Sequence, residues 1–136
     1  MAFWIGGVRL PDAGFSLIAP SSGSSITIRP RAPGQWEIIP TGVFDAAGRP
    51  LILEPLRVDI HNEVDVRGSD AYLKLTPLPP GQTRSGSAPP TGPGDMLLEV
   101  KAYDRNRKPA FQIYRDRMIS PEGGLEMQVF GPRMQG

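Results

Sequence analysis

A chain of 136 residues and 14.8 kDa has room for one hydrophobic core and is long enough to fold alone, so a single domain spanning residues 1–136 is expected. Sixteen glycines and sixteen prolines, about twice ordinary usage, exclude long helices and call for short segments joined by turns. Fifteen basic and 14 acidic residues leave +1, so no global field recruits nucleic acid or membrane; the absence of cysteine removes disulfides, thiolate zinc sites, iron–sulfur clusters and cysteine nucleophiles together.

From the N-terminus, residues 1–7 carry no basic leader and Arg9 interrupts the first apolar run, so no secretory signal peptide is expected. No other apolar run approaches the roughly 20 residues of a membrane helix, and the expectation is a soluble chain, cytoplasmic on synthesis. Alternation with period two predicts strands over 3–10, 15–19, 26–29, 36–39, 43–45 and 51–54, with turn signals at 11–14, 21–24 and 32–34. The clearest alternation runs over 56–67. Leu56, Val58, Ile60, Asn62, Val64 and Val66 share one face, and Arg57, Asp59, His61, Glu63, Asp65 and Arg67 share the other. Side chains alternate across a strand, so this describes a sheet with one face on a core and one in water, broken or bulged at Asn62. Strands are also predicted over 72–75, 96–103, 111–115 and 125–130, with a turn at 121–124. So many short strands at regular spacing predict an all-β fold, a single antiparallel β-sandwich of Ig-like or jelly-roll-like type.

Residues 76–95 stand apart, with six prolines, four glycines and five serines or threonines. Such a segment reads as a protruding, flexible Pro/Gly-rich loop that orders on a partner, and Arg84 is its candidate contact residue. Two other stretches match each other: Phe44-Asp45-Ala46-Ala47-Gly48-Arg49-Pro50-Leu51 and Tyr103-Asp104-Arg105-Asn106-Arg107-Lys108-Pro109-Ala110. In the first, Asp45 can accept the backbone hydrogen bonds that open a turn, and Gly48 can supply the left-handed position that ends it. The second has no glycine, and Asn106 is expected to take the positive φ. Charge is uneven as well: residues 54–70 hold five acids and two arginines, residues 101–117 six bases and two acids. The two surfaces are suited to meet, within one molecule or between neighbouring copies. Twelve of the 15 basic residues are arginine, which suits planar, bidentate contacts at interfaces.

The single histidine, His61, closes most general-base and metal options, and its strand neighbours Asp59, Glu63 and Asp65 bring no second ligand shell. No Gly-x-Ser-x-Gly elbow, phosphate-cradling loop, zinc spacing or calcium loop occurs. No catalytic, cofactor or metal residue is assigned, and the chain is expected not to be an enzyme. Arg105, Arg107, Lys108, Arg115 and Arg117 lie on or beside one hairpin with Tyr103 and Tyr114, a pattern that serves contact with a partner. Because Asp104 and Asp116 interrupt this patch, nucleic acid is not the expected partner. Trp36 is the candidate aromatic anchor; a carbohydrate platform built on Trp4, Trp36 or Tyr72 is the other use of such side chains.

The run over 100–119, Val-Lys-Ala-Tyr-Asp-Arg-Asn-Arg-Lys-Pro-Ala-Phe-Gln-Ile-Tyr-Arg-Asp-Arg-Met-Ile, resembles a pattern of small all-β virion proteins of tailed bacteriophages: an aromatic–Asp turn, a Phe strand, then Asp-Arg. It departs at Arg107, where those turns usually carry glycine, and no residue role is carried over. The resemblance implies a tail, neck or capsid-surface component that contacts copies of itself and other virion proteins. The expectation is therefore a non-enzymatic structural or interaction protein, a homo-oligomer assembled into a phage or phage-like particle through β-edge, loop and arginine-rich contacts, with no membrane partner. The alternative is a monomeric ligand-binding module for glycan or nucleic acid.

Overall fold

Two glycines shape the start of the chain. The computed structural model describes residues 2–60 and 62–130. Gly6 takes a φ of 55° and, with Gly7, closes a two-residue hairpin between β1 (Ala2–Ile5) and β2 (Val8–Pro11). The single strand expected over 3–10 is thus two, because the glycine pair is a turn signal inside what alternation reads as one run. β3 (Phe15–Ala19), β4 (Ser24–Ala32) and β5 (Gln35–Thr41) follow as a meander, each containing its predicted span. No strand forms over 43–45 or 51–54. Phe44 makes only isolated bridges, to Pro50 and Tyr103, because Asp45 turns the backbone at once.

The long alternating run splits between two sheets. β6 (Leu56–Asp59) pairs with β5, whereas β7 (Val64–Gly68) pairs with β8 (Ala71–Pro77). Four residues separate the halves, an even number, so the even positions keep facing one core from opposite sheets: Val58 and Val66 pack against it and Val64 lies within it. His61 lies outside the described residues, and so do the ligand and base options attached to it. β9 (Met96–Tyr103) matches its prediction, β10 (Pro109–Ile113) starts two residues early, and β12 (Glu126–Val129) lies inside its predicted span. β11 (Met118–Ile119), two residues long, carries no alternation that could announce it.

The fold is all-β, with no helix among the described residues, in two sheets. Sheet B runs β12-β3-β4-β5-β6. In sheet A, β9 is central: β8 and then β7 lie along one edge, while the other edge carries two hairpins end to end, β1–β2 at its start and β10–β11 at its finish. Pairing is antiparallel except where β1 meets β9 in parallel, at Phe3–Met96 and Trp4–Leu97. Most neighbours are therefore successive in the chain, giving one meander per sheet. One core lies between them. Phe3 of sheet A stands edge-on to Trp36 of sheet B, 4.9 Å between ring centres, and to Phe15 at 5.6 Å. Such aromatic pairs add about 0.5–1.5 kcal/mol each beyond the area they bury.

Residues 78–95 return over the outer face of sheet A. Leu78 is buried there with Trp4 and Leu97, and Ala88 packs against the same cluster. The Thr91 hydroxyl donates to the Pro79 carbonyl at 2.6 Å and accepts from the Gln82 N–H at 2.8 Å. Asp95 fastens β1 beneath the segment: its Oδ1 accepts from the Ala2 N–H, and its Oδ2 from the Trp4 indole and the Gly92 N–H, all within 2.8–2.9 Å. Burial pushes this carboxyl up, but the Trp4, Gly92 and Ala2 donors outweigh burial and hold it below its ordinary value.

Candidate interaction site

Two stacked sheets have two open sides. One is bounded by β6 and β7, the other by β2, β11 and β12, and each of these strands pairs along one edge only. The first side is sealed. The chain crosses from β6 to β7 in four residues, pinned by the Ile60 N–H on the Gly34 carbonyl at 2.8 Å, and Val64 is only 7% exposed. The second side is not sealed. Register sets Val8 opposite Ile5, Met118 opposite Ile113 and Val129 opposite Phe15, all core residues, so these three point inward. They nevertheless stay 46%, 39% and 50% exposed; Ile119, which register sets on the outer face opposite Gln112, and Phe130, just past Val129, are exposed beside them. Unpaired edges that carry uncovered apolar side chains are templates for a partner.

The basic residues fall into two groups. The matched stretches form the same turn twice. Asp45 and Asp104 donate their N–H to the carbonyls of Arg49 and Lys108, both at 2.8 Å. The Oδ1 of Asp45 accepts from the N–H of Ala47 and Arg49, and that of Asp104 from the N–H of Asn106 and Lys108. The left-handed position in the second turn is Arg107, with φ 61°, not Asn106. Asp104 holds the Asn106 N–H, and Arg107 is the residue equivalent to Gly48. The two turns are joined back to back: Phe44 and Tyr103 exchange both N–H···O bonds at 2.8 Å. Arg107 reaches across, so that a Cβ on Gly48 would stand 3.1 Å from its Nε.

A third turn, between β7 and β8, docks on this pair. Asp45 Oδ2 accepts from the Ser69 N–H at 3.1 Å, and the Ala46 N–H donates to the Ser69 carbonyl at 2.8 Å. Hydrogen bonds from the Arg49 and Ser69 backbone hold the Asp45 carboxyl below its ordinary value. Asp70 accepts from Lys101 Nζ and the Tyr103 hydroxyl, each at 2.7 Å. Those two donors depress Asp70, and Asp70 in turn raises Lys101 and Tyr103.

Arg105, Arg107 and Lys108 are exposed at this end of β10, whereas Arg115 and Arg117 lie beyond its other end, in the turn to β11. A five-residue strand separates the groups by roughly 16 Å, so the single patch expected from sequence is two. Arg117 lies over the Tyr114 ring at 5.1 Å. Arg84 is not free at a loop tip: its side chain is 10% exposed, and its guanidinium donates to the Gly6 and Arg115 carbonyls at 3.0 Å each. It fills the junction where the two hairpins meet on the β9 edge. Trp36 is buried in the core and so is an anchor between the sheets, not one presented to a partner. The uncovered Val8, Met118 and Val129 had no distinguishing signal, since alternation gives a side chain's direction but not whether anything covers it.

Among the described residues no group of three or more His, Asp or Glu side chains is placed to hold a metal ion, and no helix is long and apolar enough to cross a membrane, which leaves a strand-built span open. A polar cleft of about 520 Å³ lies beside the second turn, between residues 19–22 and 120–122. No protein-family model, curated protein or solved structure matches the chain.

Proposed function

We propose that the protein is a non-enzymatic structural subunit of a phage or phage-like particle, made in the cytoplasm and built in through contacts with a second copy of itself and with other assembly proteins. The unsealed side is the observation that carries this reading. A second copy is the occupant that suits it, because Arg9, Arg115 and Arg117 alternate there with Asp116, Glu122 and Glu126, all exposed, and such a side is charge-balanced against itself. Packing like side on like side would close two open cores at once. The resemblance over 100–119 supports placing the subunit in a virion. For the architecture, two stacked meanders suit the strand order better than an Ig-like or jelly-roll-like sandwich, whose Greek-key connections move strands between sheets.

Light scattering across a concentration series tests the reading. The expected mass rises from 14.8 kDa towards about twice that value. The double variant Met118→Lys, Val129→Lys should remain monomeric with its fold intact. A wild-type monomer at every concentration, or a dimer that ignores both lysines, contradicts it.

A second reading, a glycan-binding module, is favoured by one observation. All three tyrosines lie on the outer face of sheet A, where burial raises Tyr72 and the Asp70 hydrogen bond raises Tyr103, and where Tyr114 is near enough to both to add to each rise. Retardation in gels containing a neutral polysaccharide, lost in Tyr72→Ala, would support that reading; no retardation would remove it.

A further inference from the structure

We propose that the paired turns over 44–51 and 103–110 bind the phosphate backbone of double-stranded DNA without reading its sequence. Four cations, Arg49, Arg105, Arg107 and Lys108, project from these turns. Among the described residues none of the four lies within 4.0 Å of a carboxylate. The acids that interrupt the basic run in sequence face inward instead: Asp45 is 5% and Asp104 7% exposed, and each spends its Oδ1 on two backbone N–H groups of its own turn. What the pair presents outward is cationic, although its sequence alternates in sign.

The turns are also held for the purpose. The Phe44–Tyr103 exchange fixes one against the other, and the Arg107 guanidinium lies over Gly48, so the cations of both turns share one surface. The adjoining cleft extends that surface with Ser21, Ser22, Asn106, Gln112 and Ser120 beside Lys108. Hydroxyl, amide and ammonium donors of this kind are what phosphate oxygens accept from in DNA complexes. Two acids also line the cleft: Glu122, and Asp104, whose Oδ1 already accepts from two N–H groups of its own turn.

Other polyanions fit less well. No large apolar side chain is exposed in either turn, so an acidic protein would find no anchor there. No aromatic ring lines the cleft, so single-stranded bases would find nothing to stack on. The four cations lie on the paired turns and not on the unsealed side, so their variants test the inference apart from the self-association proposed above, although the cleft and the unsealed side share Glu122.

Fluorescence anisotropy with a labelled duplex of about 20 base pairs, titrated from about 25 mM to 0.3 M salt, tests it. Four phosphate contacts predict a slope of log affinity on log salt of about −3.6. Arg105→Ala and Lys108→Ala should each reduce the slope by about 1, equally for two unrelated sequences. Arg107→Gly should do the same while relieving the left-handed backbone, which separates loss of charge from loss of fold. Arg115→Ala with Arg117→Ala should leave binding unchanged, although both are near in sequence. No binding at the lowest salt, a slope indifferent to the three turn variants, or tighter binding of poly-glutamate or of a dT oligonucleotide would overturn the proposal.

Discussion

The β6–β7 side and the β2–β11–β12 side are made of the same materials and finish differently. Both have unpaired strand edges and inward-pointing valines. On the first, a four-residue crossover draws the edge strands of the two sheets together, and Val64 disappears into the core. On the second, six residues separate β11 from β12, and β11 has only two residues with which to cover anything, so Val8, Met118 and Val129 point at a core they do not close. Closure of such a fold is decided by how tightly the chain crosses between sheets, not by how apolar the edge strands are.

Substitutions on the two sides can break this contrast. The largest effect on stability is expected at Asp95, which fastens the β1–β2 hairpin on the unsealed side. Asp95→Asn must set its amide NH2 against either the Ala2 N–H or the Trp4 and Gly92 donors, and should cost about 2–3 kcal/mol in urea unfolding; a loss below about 0.5 kcal/mol would remove Asp95 as the fastening. A matched pair comes next. Val64→Ser on the sealed side should cost about 2 kcal/mol, whereas Val129→Ser, already half exposed, should cost at most about 0.5 kcal/mol in the monomer. Equal losses would erase the distinction.

Acid should sharpen it by locating the fastenings. Asp45, Asp70 and Asp95 are all held below their ordinary values, so the stability they supply is complete above the unfolded carboxyl value near 4 and lost as pH falls through the lower folded ones. Hydrogen exchange on going from about pH 5 to about pH 3 should therefore expose Gly68–Ala71 and Ala2–Trp4 first. The β3–β4 hairpin, which no such carboxylate fastens, should stay protected; its simultaneous loss would contradict the assignment. The smallest effect is expected at the rim of the sealed side, where the Asp65–Arg67 pair is more than half exposed. Asp65→Ala should change stability by less than about 0.5 kcal/mol.

Much of the fold was legible because its signals are local. Alternation found β3, β8 and β9, and the Asp45 and Asp104 turns declared themselves through an aromatic, an Asp and a downstream base. The remainder depended on what lies across space. Leu56 to Arg67 reads as one strand because two strands in facing sheets keep the same parity when an even number of residues joins them. Arg107 takes the left-handed conformation because Asp104 already holds the Asn106 N–H. Arg84, in a stretch whose composition suggests a free loop, is spoken for by two carbonyls from other elements. Arg115 and Arg117 are near Lys108 in sequence and a strand's length away in space. The unsealed side was least legible of all, since exposure of an inward-pointing valine depends on a neighbour that is missing.

The absence of cysteine from the chain allows a direct test of that side. Single cysteines at Val8, Met118 and Val129, compared under mild oxidation with one at Leu53, which is 85% exposed but lies off the strip, report which surface meets a second copy. A disulfide-linked dimer should form fastest from at least one of the three strip positions and leave the Leu53 variant largely monomeric. Faster dimerisation through Leu53 than through all three would contradict it.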